Sequence, residues 1–183
     1  MPAKKIYDAL IINRRSGKAL QAKGAENGNL VEQSEINKDD SQIWTIINNS
    51  KGTKFVNKYS GKVLDVMYAG EDNGTRLQIW DDVDSVTPLW KMRGRTYKKI
   101  LNAVSGRAAD IADLSDESGA CVQLWDDVDG ENQQWKIVPL IADEPVKPTP
   151  KALVKKPAAK KAATKKPVKK PAKKEQPPVM TKA

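Results

Sequence analysis

The hydrophobic pattern of this chain is typical of short β-strands. Short apolar-rich runs each end at a Ser-Gly turn, and a second short strand follows each turn; these runs cover 9–13, 54–57 and 99–102. Polar Asn-Gly or Ser-Gly turns come next, at 27–28, 73–74 and 118–119. They lead into a third strand, clearest at 77–79 and 122–124. A fourth strand begins with tryptophan and alternates apolar and polar residues, so its apolar side chains share one face: 44–46, 90–92 and 135–137.

Two independent sequence markers show that these strands form three repeated units. The first is an Asn-x-x-Ser-Gly motif, which begins at Asn13, Asn57 and Asn102. The second is the tryptophan that closes each unit, at positions 44, 90 and 135. One unit of about 45 residues cannot bury its own apolar face, so three units must share a core. Since a propeller typically needs at least four blades, the sequence predicts a closed, threefold all-β fold with about four short strands per unit.

The closing tryptophans belong to Gln-x-Trp units, of which the third repeat has two, Gln123-Leu124-Trp125 and Gln133-Gln134-Trp135, with an acidic turn between them. The second repeat has Gln78-Ile79-Trp80 followed by Pro88-Leu89-Trp90, and the first keeps only Gln42-Ile43-Trp44. In this order of motifs, residues 6 to about 140 resemble a ricin-B-type (R-type) lectin domain. The resemblance implies a β-trefoil that binds carbohydrate and has no catalytic activity.

The resemblance also implies a sugar site in the third repeat. In R-type lectins the sugar is held by an Asp in a Leu-Asp-Val strand, by the Gln and Trp of the first Gln-x-Trp, and by an Asn-Gln pair at the second. These types suit a pyranose, because its C–H face stacks on an aromatic ring and its hydroxyls need carboxylate and amide partners. The third repeat fills every position, with Asp110, Gln123, Trp125, Asn132 and Gln133.

The other two repeats depart from this set. The second supplies Asp65, Gln78 and Trp80, but Thr87 and Pro88 stand where the Asn-Gln pair is expected, so we predict a weaker carbohydrate site there. The first repeat has lost both the aromatic residue and the carboxylate, and no sugar site is predicted; the matching residues are Gln21, Glu32, Ser34 and Ser41.

The tryptophans fall into two classes by position. Trp44, Trp90 and Trp135 occur in all three repeats and are predicted to lie in the core, whereas Trp80 and Trp125 are candidate sugar platforms. The alternative for these two is partial burial alone, because Gln-x-Trp units also hold the trefoil together.

Catalysis has little support in the sequence, and we expect neither an enzyme nor a cofactor. The chain has no histidine, and its one cysteine, Cys121, has no imidazole partner to activate it. The acidic turns 81–84 and 126–131 do not reproduce the EF-hand spacing, so no metal site is predicted. We interpret them as solvated turns; alternatively, Asp82 or Asp127 lies at a pocket rim and accepts a sugar hydroxyl.

The composition changes after residue 144, which we take as the boundary between the trefoil (1–144) and a tail (145–183). The tail has 13 lysines and one acid, a net charge of +12, so the total of +9 leaves the trefoil at −3. Without an aromatic residue the tail cannot pack a core, and we predict that it is disordered. It resembles the basic tails of linker histones. Its lysine doublets are Lys155 and Lys156, Lys160 and Lys161, Lys165 and Lys166, Lys169 and Lys170, and Lys173 and Lys174.

These doublets are predicted to bind nucleic acid or another polyanion by releasing counterions from it. The alternatives are a solubilising tail or a localisation signal. The single cysteine and the absence of a signal-like start or a long apolar stretch favour an intracellular protein, in cytoplasm, nucleoid or nucleus, without membrane binding. The leading hypothesis is therefore a lectin-like module, specific for a galactose-type or related sugar, tethered to a polycationic tail. The alternative is a nucleic-acid-associated structural protein whose trefoil binds protein; the oligomeric state stays open.

Overall fold

The structure is a computed structural model, and it describes residues 5–83 and 85–140. These residues contain twelve β-strands, four in each repeat, as the sequence predicts. The strands are β1 (Lys5–Asn13), β2 (Ala19–Ala22), β3 (Val31–Ser34), β4 (Ile43–Asn48), β5 (Thr53–Asn57), β6 (Val63–Val66), β7 (Leu77–Trp80), β8 (Trp90–Arg93), β9 (Lys98–Asn102), β10 (Ala108–Ile111), β11 (Val122–Trp125) and β12 (Gln134–Pro139). Short 3-10 turns cover Asp40–Gln42, Met67–Ala69, Ala112–Leu114 and Glu131–Gln133.

The first and last strands of each repeat close a six-stranded barrel. Its antiparallel neighbours, in order around the ring, are β1, β4, β5, β8, β9 and β12, and β12 pairs again with β1. The middle strands form three hairpins, β2–β3, β6–β7 and β10–β11. Isolated bridges join each hairpin to the next, Leu30 to Gln78, Arg76 to Gln123 and Cys121 to Glu32. This is a β-trefoil, and the predicted fold is confirmed.

The three closing tryptophans occupy equivalent places in the core. Trp44, Trp90 and Trp135 are fully buried, as predicted. Each indole N–H donates to a carbonyl oxygen of its own repeat, at 3.0, 3.1 and 3.0 Å; the acceptors are Leu20, Leu64 and Ala109. The polar edge of each ring is thereby satisfied, and the rest of its surface is free to fill the barrel.

The asparagines of the Asn-x-x-Ser-Gly motif join consecutive repeats. Asn13, Asn57 and Asn102 are buried, and each accepts hydrogen bonds from backbone N–H groups of its own turn. Each Nδ2 donates at 2.8–2.9 Å to a carbonyl of the neighbouring repeat, in Asn132, Ser41 and Thr87 respectively. The glycine closing each turn has φ between 69° and 75°, a conformation that favours glycine. The Asn-x-x-Ser-Gly motif thus links neighbouring repeats through the hydrogen bonds of its asparagine.

The predicted tail, with all ten lysines of its doublets, lies outside the described residues, and so does Asp84 of the acidic turn 81–84. The boundary after residue 144 stays a prediction. Within 5–83 and 85–140, no helix has the length and apolar character needed to cross a membrane.

Candidate functional site

The third repeat forms a surface cavity of about 370 Å³. Strand β10 supplies Asp110, strand β11 supplies Gln123 and Trp125, and the 3-10 turn before β12 supplies Asn132. The cavity is completed by three residues that the sequence analysis does not assign to a site: Asp113, Leu114 and Val128. The structure therefore brings together at one cavity four of the five residues predicted for the third carbohydrate site.

Asp110 is the acceptor on which this site is built. Its Oδ1 accepts from Gln123 Nε2 at 3.1 Å, and its Oδ2 accepts from Asn132 Nδ2 at 2.7 Å and Gln133 Nε2 at 3.0 Å. Asp110 is buried, with 5% of its surface exposed, yet each carboxylate oxygen has at least one amide donor. Hydrogen bonds to a charged acceptor are stronger than neutral ones, so Asp110 fixes three side chains at once.

Burial raises the pKa of Asp110 above its ordinary value. Loss of solvent is the largest cause, hydrogen bonds from Gln123, Gln133 and Asn132 oppose it, and the charge of Asp113 adds to the rise. Protonation of Asp110 would remove acceptor capacity from the site. The pH dependence of ligand binding therefore tests the role of this carboxylate.

Trp125 presents the apolar surface of the cavity. It is the last residue of β11, where the two-residue alternation turns Leu124 into the core and leaves Trp125 39% exposed. Trp135, ten positions later, is fully buried. The cavity thus combines a half-exposed indole with the amide and carboxylate groups of Gln123, Asn132 and Asp110. A pyranose needs both, an apolar surface for its C–H face and polar partners for its hydroxyls.

Gln133 differs in role from the other predicted residues, because it is fully buried and does not line the cavity. Its Nε2 donates to Asp110 and also to the carbonyl of Asp126 at 2.8 Å, and its Oε1 accepts from Val128 N–H at 3.1 Å. These contacts hold the acidic turn against β10. Gln133 therefore holds Asp110 and the acidic turn in position without lining the cavity itself.

The second repeat forms a matching cavity of about 350 Å³ that contains all three predicted residues, Asp65, Gln78 and Trp80. Trp80 is 38% exposed, almost the same as Trp125. Gln78 Nε2 donates to Asp65 Oδ2 at 3.3 Å, and Asp65 Oδ1 is buried without a hydrogen-bond partner among the described residues. Thr87 lines this cavity but gives Asp65 no hydrogen bond, which is the structural consequence of losing the Asn-Gln pair.

A family model for ricin-type β-trefoil lectin domain-like proteins matches residues 4–80 and 88–145. The chain belongs to this family. The gap between the two matched stretches, 81–87, contains the acidic turn of the second repeat and Thr87. In this segment the second repeat departs from the third. A comparison with curated protein sequences finds no match.

Several solved structures are similar to this chain over the trefoil. A designed threefold-symmetric protein, ThreeFoil, is 30% identical with a TM-score of 0.71, covering 73% of this chain and 99% of its own. An exo-β-1,3-galactanase from Clostridium thermocellum is 30% identical with a TM-score of 0.70, covering 73% of this chain but 30% of its own. The Macrolepiota procera ricin B-like lectin in complex with lactose is 20% identical with a TM-score of 0.64, covering 72% of this chain and 94% of its own.

The first repeat keeps the ricin-type geometry without its chemistry. Gln21 pairs with Glu32 as Asp110 pairs with Gln123, which confirms the alignment of the repeats. Gln42 Nε2 donates to Gln21 Oε1 at 2.9 Å, so an amide stands where the third repeat has its carboxylate. Ser34 takes the place of the exposed tryptophan. The expectation that this repeat binds no sugar rests on these two replacements.

Both acidic turns are ion-paired to the barrel. Asp82 contacts Lys54 at 2.5 Å, and Lys99 contacts Asp127 at 2.7 Å and Asp129 at 2.9 Å. The hydrogen bond from Lys99 lowers the pKa of Asp127. Neither Asp82 nor Asp127 lines a ricin-type cavity, so the structure gives no support to the alternative that they form its rim. Among the described residues, no three His, Cys, Asp or Glu side chains are grouped to hold a metal ion.

The site residues missed by sequence reasoning come from the loops after β6 and β10. Asp113 and Leu114 are consecutive residues with φ of 58° and 53°, a left-handed pair that the loop 113–119 uses to turn beside the cavity. Tyr68 occupies the equivalent place in the second repeat and is 93% exposed. The sequence predicts that the loops 67–73 and 113–119 set the shape of the pocket, but it assigns none of their residues to the site, because neither position carries a repeated motif.

Proposed function

We propose that this protein is a non-enzymatic carbohydrate-binding module whose main site is the cavity of the third repeat. The observation that carries the proposal is the carboxylate of Asp110, which holds Gln123 and Asn132 beside the half-exposed ring of Trp125. The amides present donors and acceptors to sugar hydroxyls, and the indole offers a flat apolar surface to the pyranose C–H face.

The proposed ligand is a galactose-type or related sugar. The support is similarity, since the exo-β-1,3-galactanase named above is 30% identical over most of the trefoil. That similarity spans only 30% of the galactanase, so its catalytic activity is not transferred. Galactosides are the first ligands to test, with glucan-type sugars as the comparison.

Replacing Trp125 with alanine is expected to weaken sugar binding at the third repeat by about 10- to 100-fold, because the apolar contact with the pyranose is lost. The measurement is a calorimetric titration of the full chain with a panel of galactosides and glucans. Trp80→Ala is the matched variant, and it should remove only a second, weaker phase. A wild-type protein that binds no sugar of the panel, or a Trp125→Ala protein that binds as the wild type does, would refute the proposal.

Sugar affinity is expected to fall on acidification at a pH above about 3.9, the ordinary pKa of aspartate, since the pKa of Asp110 is raised. Protonation removes the acceptor, so binding is lost as pH falls through the folded-state pKa. Asp110 affects folding in the opposite direction. A carboxyl with a raised folded-state pKa contributes stability below its unfolded pKa and loses it as pH rises through the folded value. Affinity and thermal unfolding measured in the same buffers separate these effects; a flat affinity profile would contradict the role given to Asp110.

We further propose that the lysine-rich tail binds nucleic acid or another polyanion inside the cell. The support is its sequence, with 13 lysines in 39 residues and five doublets. Deleting 145–183 is expected to remove most retention on DNA at low salt. If the trefoil instead serves protein contacts, the tail deletion still weakens DNA retention, but the sugar panel gives no response from any repeat.

A further inference from the structure

Positive charge is concentrated on one hairpin of the trefoil, formed by β8, β9 and the turn between them. From residue 85 to residue 109 the sequence has six basic residues and no acid, although residues 1–144 have a net charge of −3. Five of the six lie on the hairpin: Lys91, Arg93, Arg95, Lys98 and Lys99. Without these five cations residues 1–144 would have a net charge of −8, so the hairpin is a positive region of an acidic trefoil.

Two of these cations make close polar contacts within the fold, and three do not. Lys99 forms ion pairs with the acidic turn 126–131, and Lys98 Nζ donates to the carbonyl of Gly94. By contrast, Lys91, Arg93 and Arg95 are exposed, and no described carboxylate lies within ion-pair distance of them. The charge of Arg93 contributes to the lowered pKa of Asp127, but none of the three forms a close ion pair, so all three can contact a partner.

The equivalent hairpin shows that the fold does not require these charges. Its counterpart, formed by β4, β5 and the turn between them, covers 43–57 and has two cations, Lys51 and Lys54. The conserved element of this pair is the barrel lysine, Lys54 or Lys99, which holds an acidic turn in both repeats. The cluster at positions 91, 93 and 95 is therefore a departure from threefold symmetry and not a consequence of it.

The hairpin also has an aromatic side chain held in place. Tyr97 is 37% exposed, and the guanidinium of Arg14 lies 4.9 Å from its ring centroid. Arg14 is fixed in turn by Gln134 at 2.8 Å and Glu131 at 2.8 Å. The turn of the hairpin, which contains Tyr97, thus contacts Arg14 of the first repeat. Its exposed arginines belong to a supported element.

Connectivity places the end of the trefoil beside this hairpin. Strand β12 pairs antiparallel with β9 at Trp135 and Lys98, and from there it runs on toward the hairpin turn as far as Pro139. The sequence that follows residue 140 contains the 13 lysines. The end of β12 and the cationic hairpin therefore lie at the same end of the barrel.

We propose that the exposed cations of this hairpin, Lys91, Arg93 and Arg95, bind the phosphate backbone of nucleic acid. Arginine suits this ligand because its planar guanidinium donates two parallel hydrogen bonds to a phosphate. The hairpin is not a continuation of the sugar site, because the acidic turn separates them: Val128 lines the third-repeat cavity, whereas Asp127 and Asp129 line a second cavity with Arg93. An acidic glycan is the alternative ligand that the test below distinguishes. The inference does not depend on sugar binding.

The test measures how affinity for a short DNA duplex depends on salt, using the full chain. Changing Lys91, Arg93 and Arg95 together to glutamine is expected to reduce the slope of log affinity against log salt by about 2–3, close to 0.9 for each lost phosphate contact. The control variant changes three exposed lysines outside β8 and β9, Lys23, Lys38 and Lys58, to glutamine. It loses the same charge and should keep the wild-type slope.

Equal slopes for the hairpin and control variants would overturn the proposal, since the lost charge would then act only at long range. A third variant, with arginine at 93 and 95 replaced by lysine, keeps the charge and should restore the slope. The titration is repeated with a sulfated oligosaccharide of matched charge. A larger effect of the hairpin variant on that ligand than on DNA would assign the surface to acidic glycans and would also overturn the proposal.

Discussion

Replacing Trp135 with alanine is expected to lower the free energy of unfolding by about 4–6 kcal/mol. Removing a fully buried tryptophan costs about 3–5 kcal/mol, because the lost burial is compounded by the cavity left behind. The indole N–H also donates to the carbonyl of Ala109 at 3.0 Å, and leaving that acceptor unpaired adds about 1 kcal/mol. A loss of this size approaches the whole stability of a typical domain. Urea unfolding followed by circular dichroism measures it without depending on tryptophan fluorescence.

The matched variant for this experiment is Trp125→Ala. Trp125 is 39% exposed and makes no described hydrogen bond through its indole, so its loss should change stability by no more than about 1 kcal/mol. The two variants remove the same side chain ten positions apart. If they destabilise the protein equally, the division into core and platform tryptophans is wrong. If neither does, the barrel core is not where the structure places it.

The fold could be predicted from the sequence because each repeat places a tryptophan at the equivalent position. Trp44, Trp90 and Trp135 recur at a period of about 45 residues, and only a shared core places all three inside. The Asn-x-x-Ser-Gly motif is recognisable in the sequence as a repeat marker, but its structural role is not. The hydrogen bond from Asn13 to the carbonyl of Asn132 joins residues 119 positions apart, and no local pattern predicts such a bond.

The site was predictable only as far as its side chains belong to repeated motifs. Asp110, Gln123, Trp125 and Asn132 meet at one cavity, as the resemblance implied. The sequence did not distinguish Gln133 as fully buried, because burial there depends on how the acidic turn packs against β10. Loop residues of the cavity were missed for the opposite reason, since their positions depend on left-handed backbone conformations without a glycine to signal them.

Alanine at Asp110 is expected to destabilise the protein by about 3 kcal/mol, whereas alanine at Asp65 should cost no more than about 1 kcal/mol. Asp110 accepts three amide hydrogen bonds, all from buried residues. Bonds to a charged acceptor are worth about 1.5–3 kcal/mol before the cost of burying the charge is set against them. Asp65 accepts one, at 3.3 Å, and its other oxygen is buried without a described partner. Urea unfolding of both variants tests the difference, and equal losses would contradict it.

Asparagine at position 110 separates the role of this residue in folding from its role in binding. An asparagine retains one carbonyl oxygen, which can stay opposite Asn132 and Gln133, while its new amide group turns toward Gln123. Gln123 lies at the cavity, where its own amide is free to rotate and accept that hydrogen bond. We therefore expect Asp110→Asn to unfold within about 1 kcal/mol of the wild type. Sugar binding should nevertheless be lost, because the carboxylate is gone and Gln123 now presents the opposite end of its amide. A variant that is both stable and fully competent for sugar would show that Asp110 serves the fold alone.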